Sequence, residues 1–299
     1  MYEQYYGLCE SPFSLTPDTG FFVKTLTHQE ALNVLLVALQ SGDGFIKLTG
    51  EVGTGKTLIC RKLLQQLDDN YQTVYIPNPY ISCELLLRAV VEEMGLLSRV
   101  EGGNYLSVIN QQLIQNAQQA RRTVILLDEA QSLPVESLEA IRLLSNLETE
   151  KSKLVQIVLF GQAELDAKLE DPSIRQLRQR IVHAFELKTL SRAAVACYIS
   201  QRLRAAGYHG ARLFDDKAID QVFRLSMGVP RLVNLLCHKA MLLGFSSADF
   251  YIGSHHVRSA AVDTDQSVGL RTRLSRVQHT AAAVGATLLM LDQLFQVAL

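Results

Sequence analysis

The sequence predicts an α/β fold, in which helices cover both faces of a parallel sheet and a small all-α domain follows. Between residues 45 and 160, short aliphatic runs alternate with segments of helical periodicity, which is the pattern of successive βαβ units. After about residue 190 the strand pattern stops and only helical periodicity remains. A second, helical domain therefore follows the sheet.

Each element follows from local pattern. Residues 1–27 are rich in aromatic and turn-forming residues, which predicts an irregular arm that packs on the αβα domain. The predicted strands are 45–49, 73–76, 123–127, 155–160 and a strand-like run at 184–187. The predicted helices are 28–39, 56–67, 84–94, 106–120, 193–206, 216–226 and 232–245. The predicted domains are the arm at 1–27, an αβα domain at 28–190, a helical lid at 191–262, and a linker with a C-terminal helix at 263–299.

Composition excludes several classes of protein. Of 299 residues, 48% are hydrophobic and 20% charged, which excludes a disordered chain. The 29 basic and 30 acidic side chains give a formal charge of −1, which excludes a chain that is basic or acidic throughout. Five widely spaced cysteines favour reduced thiols over disulfides or a zinc cluster, and no secretory signal opens the chain. We therefore expect a cytoplasmic protein.

The C-terminal segment 280–299 is apolar but interrupted. Thr287, Asp292, Gln293 and Gln296 break the run, and an Asp in mid-span costs about 2.5–3.5 kcal/mol to insert. The pattern predicts an amphipathic helix that packs on this chain or on a neighbouring subunit, and no integral membrane span. Three upstream arginines, at 271, 273 and 276, also leave a peripheral contact with a membrane surface open.

A phosphate-binding loop is the strongest motif. The segment GEVGTGKT, residues 50–57, fits G-x-x-x-x-G-K-[ST] and lies between a predicted strand and a helix. Glycines let backbone N–H groups surround a polyphosphate, and Lys56 is expected to reach the β- and γ-phosphates of ATP while Thr57 binds Mg²⁺. The predicted nucleotide-binding residues of this loop are Gly50, Glu51, Val52, Gly53, Thr54, Gly55, Lys56, Thr57 and Leu58.

Polar residues that follow two predicted strands complete a candidate hydrolytic site. Asp128 and Glu129 end an aliphatic strand, where Asp128 would hold the Mg²⁺ shell and Glu129 would orient the attacking water. Gln162 follows the next strand and would contact the γ-phosphate or the water. The alternative for Gln162 is an amide that merely satisfies a strand–helix turn.

Arginines supply the remaining candidates. Arg175, Arg178 and Arg180 cluster near a helix end, where a guanidinium group can reach the γ-phosphate of a neighbouring subunit, although at least one belongs to a solvated helix face. The segment GVPR, residues 228–231, opens a helix, and Arg231 would fold over the nucleotide.

Together these motifs resemble those of AAA+ ATPases. More narrowly, the chain resembles the ExeA/GspA group of secretion ATPases, and within it the MshM branch of MSHA-type pilus biogenesis. The segments that carry the narrower likeness are YYGL at 5–8, PF at 12–13, PD at 17–18, FF at 21–22, HQEAL at 28–32, GQAEL at 161–165, LRQRI at 177–181 and GVPRLVNLL at 228–236.

The resemblance implies an αβα core with a helical lid, ATP and Mg²⁺ as cofactors, and a nucleotide-dependent homo-oligomeric ring. It implies that the arm around Pro12-Phe13, together with His28, contacts the adenine. It also implies that Gln162 is sensor 1, Arg180 the arginine finger with Arg178 as a rival, and Arg231 sensor 2. Sensor 1 is Asn, Ser or Thr in many AAA+ proteins, so Gln162 departs from the wider pattern. The implied partners are pilus or type II secretion assembly proteins at the inner membrane.

Two other functions stay open. One is an ATP-dependent, DNA-binding regulator of transposition of the TnsC/TniB type. Residues 171–231 contain 11 Lys/Arg and 5 Asp/Glu, a local charge of +6, as a surface that follows DNA phosphates would have. The other is an ATP-gated scaffold that turns over ATP only with a partner.

Overall fold

The computed structural model describes residues 2–16, 18–147 and 153–264. The chain forms two compact units, and each is described by itself. One unit comprises residues 16–189, and the other comprises the residues up to 15 together with those from 190 onward. A short helix, α1 (Tyr2–Tyr5), belongs to the second unit.

A five-stranded parallel sheet forms the centre of the first unit. Its strands are β1 (Phe45–Gly50), β2 (Tyr71–Ile76), β3 (Arg122–Leu127), β4 (Val155–Gly161) and β5 (Ile181–Leu187). Their order is β2-β3-β4-β1-β5, and every neighbouring pair is parallel. Because β3, β4 and β1 are adjacent, the loops that follow these three strands meet at one edge of the sheet.

Helices cover both faces of this sheet, as predicted for a parallel sheet. Alternate residues of a strand point to opposite faces, so Ile125 and Leu127 join one core cluster, and Val124 and Leu126 join the other. The helices of this unit are α2 (Leu26–Ser41), α3 (Lys56–Gln66), α4 (Cys83–Glu93), α5 (Tyr105–Gln118), α6 (Val135–Leu144), α7 (Ala163–Leu169) and α8 (Arg175–Arg178). Residues of α2 and α3 pack in one cluster, and residues of α4 to α7 pack in the other.

The second unit is helical. It contains α9 (Arg192–Ala205), α10 (Asp216–Ser226), α11 (Pro230–Ser246) and α12 (Ser254–Val262). Side chains of Ser191 and Asp215 cap α9 and α10 by accepting backbone N–H bonds, and a proline occupies the first turn of α11. The predicted change from α/β to all-α near residue 190 is confirmed.

The N-terminal arm differs from the prediction. Residues 2–15 belong to the helical unit and not to the sheet-containing unit. The Tyr2 hydroxyl lies 2.9 Å from Nδ1 of His238, and the Cys9 N–H donates to the Ala206 carbonyl at 2.8 Å. The Phe13 ring is 1% exposed and packs edge-on against Phe214. These aromatic side chains complete the small core of the helical unit.

Some elements have no counterpart in the sequence prediction. Helices α6, α7 and α12 were not predicted as separate elements. Arg175 and Arg178 are the first and last residues of a helix of only four residues, α8, and Arg180 follows it. Among the described residues, no helix is both long and apolar enough to cross a bilayer. The predicted linker beyond residue 264 and the predicted C-terminal helix lie outside the described residues.

Candidate ATP site

The phosphate-binding loop connects β1 to α3 as predicted. Gly53 and Gly55 have φ of +80° and +103°, a left-handed backbone that favours glycine. A Cβ at Gly55 would also lie 2.9 Å from Nε2 of His28. Lys56, Thr57 and Leu58 form the first turn of α3, where backbone N–H groups have no intrahelical acceptor and are oriented to bind an anion.

Lys56 is buried within this loop. Its ammonium group donates to the carbonyl oxygens of Gly50 and Glu51 at 2.8 and 3.0 Å. Burial lowers the pKa of Lys56, while the nearby carboxylates of Glu129 and Asp128 act in the opposite direction. The lysine is thus held against the backbone of the loop, with the carboxylates that follow β3 nearby.

Asp128 and Thr57 form the predicted metal-binding pair. Asp128 is 2% exposed, and burial raises the pKa of its carboxyl group. Two hydrogen bonds oppose this shift, one from the Thr57 hydroxyl and one from the Glu129 N–H at 3.0 Å. A hydroxyl and a carboxylate in contact are hard oxygen ligands, and Mg²⁺ in phosphate sites uses one or two such protein ligands. These residues therefore fit a Mg²⁺ ion.

Glu129 has an unusual backbone and a fixed side chain. Its φ of +53° lies in the left-handed region, which costs a non-glycine residue about 1–3 kcal/mol. Its Oε2 accepts hydrogen bonds from Nε2 of Gln131 at 2.5 Å and from Nε2 of Gln162 at 3.0 Å. These two bonds hold the carboxylate beside Gln162, which follows β4.

Gln162 was predicted to contact either the γ-phosphate or the water. The structure places it after β4 beside the predicted base, where its side chain donates to Glu129 and its backbone N–H donates to Oε1 of Gln131 at 3.0 Å. The adjacency of β3 and β4 brings these residues together. Its proposed role as a phosphate sensor stays a prediction.

His28 lies beneath the phosphate-binding loop. Its Nε2 donates to the Thr54 carbonyl at 2.9 Å, and its Nδ1 lies 2.5 Å from the Thr25 hydroxyl. The ring is 4% exposed, and burial lowers its pKa, so the neutral form is favoured. Both ring nitrogens are bound within the protein. The adenine contact that the resemblance implies for His28 and for the arm around Phe13 stays a prediction.

The arginine cluster lies next to the start of β5, at the end of the strands opposite to the phosphate-binding loop. Ile181, the first residue of β5, pairs near Phe45, whereas Gly50 at the end of β1 pairs with Leu187. Five residues of strand separate these two ends by roughly 16 Å. Because an arginine side chain is shorter than this, the cluster cannot reach the phosphate-binding loop of its own chain.

The three arginines differ in their contacts. Arg180 donates from a guanidinium nitrogen to the Ser145 hydroxyl at 2.7 Å and is half-buried. Arg175 and Arg178 are exposed, and their side chains have no hydrogen-bond partner within the described part of the chain. Which of the three is the arginine finger stays a prediction.

Arg231 belongs to the helical unit, exposed in the first turn of α11. Its predicted contact with nucleotide stays a prediction. The preceding Gly228 has a φ of +74°, and a Cβ there would lie 2.0 Å from the Leu190 carbonyl oxygen. The glycine in this motif therefore serves a close backbone contact between Gly228 and Leu190.

Two functional candidates were missed by sequence reasoning. Gln131 bonds the carboxylate of Glu129, and Lys168 donates to the carbonyl oxygens of Gln131 and Leu133, both at 2.6 Å. Gln131 follows the acidic pair by only two residues, so its proximity was visible in the sequence. The direction of its side chain was not.

Comparison with known proteins agrees with this fold. An AAA domain family model matches residues 39–169. Three solved structures share the fold: Cdc6p from Pyrobaculum aerophilum (TM-score 0.63, 18% identity, covering 81% of this chain and 70% of that one), an Aeropyrum pernix ORC1 protein in complex with DNA (0.61, 18%, 91% and 72%), and the Thermotoga maritima RuvB branch migration motor (0.53, 17%, 83% and 72%).

The sheet order, the loop after β1 and the acidic pair after β3 define an AAA+ P-loop ATPase. The chain is also 43% identical, over 259 residues, to General secretion pathway protein A from Aeromonas hydrophila. It belongs to the ExeA/GspA type of AAA+ ATPase. The match covers 86% of this chain and 46% of the relative, so the chain spans about half the length of that protein.

Proposed function

We propose that the protein hydrolyses ATP as a homo-oligomer on the cytoplasmic side of the inner membrane. The hydrolysis would drive nucleotide-dependent assembly of a type II secretion machine or an MSHA-like type IV pilus. The observation that carries the catalytic part is the fixed carboxylate of Glu129 at the edge of the sheet where the phosphate-binding loop begins. The named relative, General secretion pathway protein A, supports the secretion part.

The phosphate-binding loop would bind ATP and neutralise part of the charge of its phosphates. The backbone N–H groups of the first turn of α3 would hold the phosphates, and the Lys56 ammonium would leave a backbone carbonyl to meet the β- and γ-phosphates. Thr57 and Asp128 would hold Mg²⁺. When bound, this ion neutralises negative charge that develops on the phosphate oxygens.

Glu129 would orient the water and accept its proton. Its Oε2 is occupied by two amide groups, whereas Oε1 accepts no hydrogen bond from the described residues. An oxygen of fixed direction without a protein donor suits a water molecule in line with the γ-phosphate. An arginine from a neighbouring copy would add positive charge, because the arginine cluster cannot reach the site of its own chain.

The test is Glu129→Gln. We expect ATP turnover to fall at least about 100-fold, the usual contribution of a general base, while ATP binding is retained. Glu92→Gln, an exposed substitution on α4, is the matched control and should leave turnover unchanged. Undiminished turnover in Glu129→Gln would refute the assigned mechanism.

DNA binding is the second candidate, and the charge of residues 171–231 favours it. Several of these cations are already engaged, since Arg192 pairs with Asp220, Arg212 pairs with Asp216, and Arg202 is buried and donates to the Ser14 carbonyl. This engagement lowers the number available to DNA phosphates. Salt-sensitive binding to duplex DNA in the presence of ATP would promote this function, and no binding at low salt would eliminate it.

A further inference from the structure

One carboxylate oxygen of Glu129 accepts two side-chain hydrogen bonds, whereas the other accepts none from the described residues. Oε2 accepts from the side chains of both Gln131 and Gln162. Two donors on one oxygen fix the rotation of the carboxylate about its last torsion, which is otherwise broad. The direction of Oε1 is thereby fixed as well.

Gln131 is itself anchored by residues of the β4–α7 segment. Its Oε1 accepts the Gln162 backbone N–H at 3.0 Å, and its backbone carbonyl accepts the Lys168 ammonium group at 2.6 Å. The side-chain amide of Gln131 thus uses both its donor and its acceptor. Its Nε2 donates to Glu129, and its Oε1 accepts from the residue that follows β4. Gln162, in contrast, adjoins the place where the γ-phosphate is expected.

We infer that Gln131 is a positioning residue for ATP hydrolysis: its amide holds Glu129 so that Oε1 meets the attacking water. The inference rests on the proposed function. Gln131 acts through Glu129 and does not touch nucleotide. Because Gln131 is anchored independently of the phosphate, its bond keeps the base in place when the Gln162 amide turns toward a bound γ-phosphate.

A kinetic experiment tests this role. Gln131→Met keeps the length of the side chain but removes both the donor and the acceptor. Since misplacing a reacting group by about 1 Å can cost about 100-fold, we expect kcat to fall roughly 10- to 100-fold, with KM and the midpoint of thermal unfolding unchanged. Gln115→Met, at an exposed position of α5, is the matched control. An unchanged kcat, or a loss confined to KM, would overturn the inference.

A spectroscopic experiment separates this inference from the proposed function. The side-chain amide resonance of Gln131 is assigned by its loss in Gln131→Met, and we expect Glu129→Ala to shift it in protein without nucleotide. No shift would overturn the inference whatever the turnover. If the protein without substitutions shows no ATP turnover, a clear shift would still confirm the bond between Gln131 and Glu129. The proposed hydrolysis, and with it the positioning role of Gln131, would then be refuted.

Discussion

Asp128 is the residue at which function and stability conflict. Burial raises the pKa of its carboxyl group, which means that ionising it costs more in the folded protein than in the unfolded chain. The carboxylate is nevertheless the form that binds a cation. On the proposed function, the site therefore needs the form of Asp128 that is less favourable for folding.

We predict that Asp128→Asn raises the thermal unfolding midpoint at pH 7 and abolishes ATP turnover. The folded pKa lies above the unfolded value of about 3.9, so the charged form destabilises the fold at every pH above the folded pKa. The gain should be constant at high pH and shrink as the pH falls through the folded pKa. Calorimetry from pH 8 down to about pH 4, near the unfolded pKa, measures it, and a lower midpoint in Asp128→Asn at pH 7 would contradict the argument.

A second prediction concerns His28. His28→Ala removes the donor to the Thr54 carbonyl and leaves that buried group unsatisfied, which costs about 1–3 kcal/mol. We expect lower stability and weaker ATP binding, because the loop loses its support from α2. Urea unfolding and nucleotide titration measure the two effects, with the exposed His209→Ala as control.

The pH dependence of His28 follows from its lowered pKa. The unfolded chain binds a proton at about pH 6.5 while the folded protein resists it, so the stability that this residue contributes is lost as the pH falls from 6.5 to the folded pKa. His28→Ala should lack this part of the acid sensitivity. An identical pH dependence in both proteins would show that the ring is not buried as described.

Among the elements, those with an uninterrupted pattern were predictable from sequence. The run of aliphatic residues in β3 and the helical spacing in α2 predict elements within about two residues of those observed. Helices α7 and α12 have only 7 and 9 residues, too few for periodicity to separate them from turns. The 10-residue α6 adjoins Pro134 and the turn at Glu129, where turn signals obscure its start.

The turn before α11 provides a prediction at the level of elements. Gly228→Ala combines a left-handed backbone with a Cβ only 2.0 Å from a carbonyl oxygen. We expect a loss of stability on the order of 4 kcal/mol, because backbone atoms cannot move aside as a flexible side chain can. The matched control is Gly7→Ala in the same unit, where φ is +68° but no atom lies within 4 Å of the added Cβ. That change should cost only about 1–2 kcal/mol, and equal losses would contradict the steric argument.

At the scale of the molecule, the site was predictable where its residues are contiguous or follow neighbouring strands. The loop at 50–57 is one segment, and the parallel sheet brings Glu129 and Gln162 to one edge. The location of the arm was not predictable, because aromatic residues such as Tyr2 and Phe13 can fill any apolar core. Only the folded chain shows that they fill that of the helical unit.

The separation of the arginine cluster from the phosphate-binding loop gives a prediction for mixtures of variants. On the proposed mechanism, Lys56→Ala would lack a working loop, and Arg178→Ala or Arg180→Ala would lack the arginine offered to a neighbour. Mixing the inactive loop variant with the inactive arginine variant should restore part of the ATP turnover, because some interfaces combine an intact loop with an intact arginine.

The control mixture joins Lys56→Ala with Glu129→Gln, which damage the same half of an interface and should not restore turnover. Comparing Arg178 with Arg180 in this assay identifies the side chain that acts. If neither arginine variant is complemented although both are inactive, the proposed action between copies is wrong.

The roughly 16 Å between the two ends of the strands has a consequence for how ATP turnover depends on protein concentration. On the proposed mechanism, a solitary copy contains every group needed for the reaction yet cannot combine them. Specific activity should then decline on dilution and climb steeply with the number of copies at one place. Such a chain would hydrolyse little ATP while its copies are dispersed and much more where a partner brings them together. Recruitment by the partner would therefore control the rate of hydrolysis.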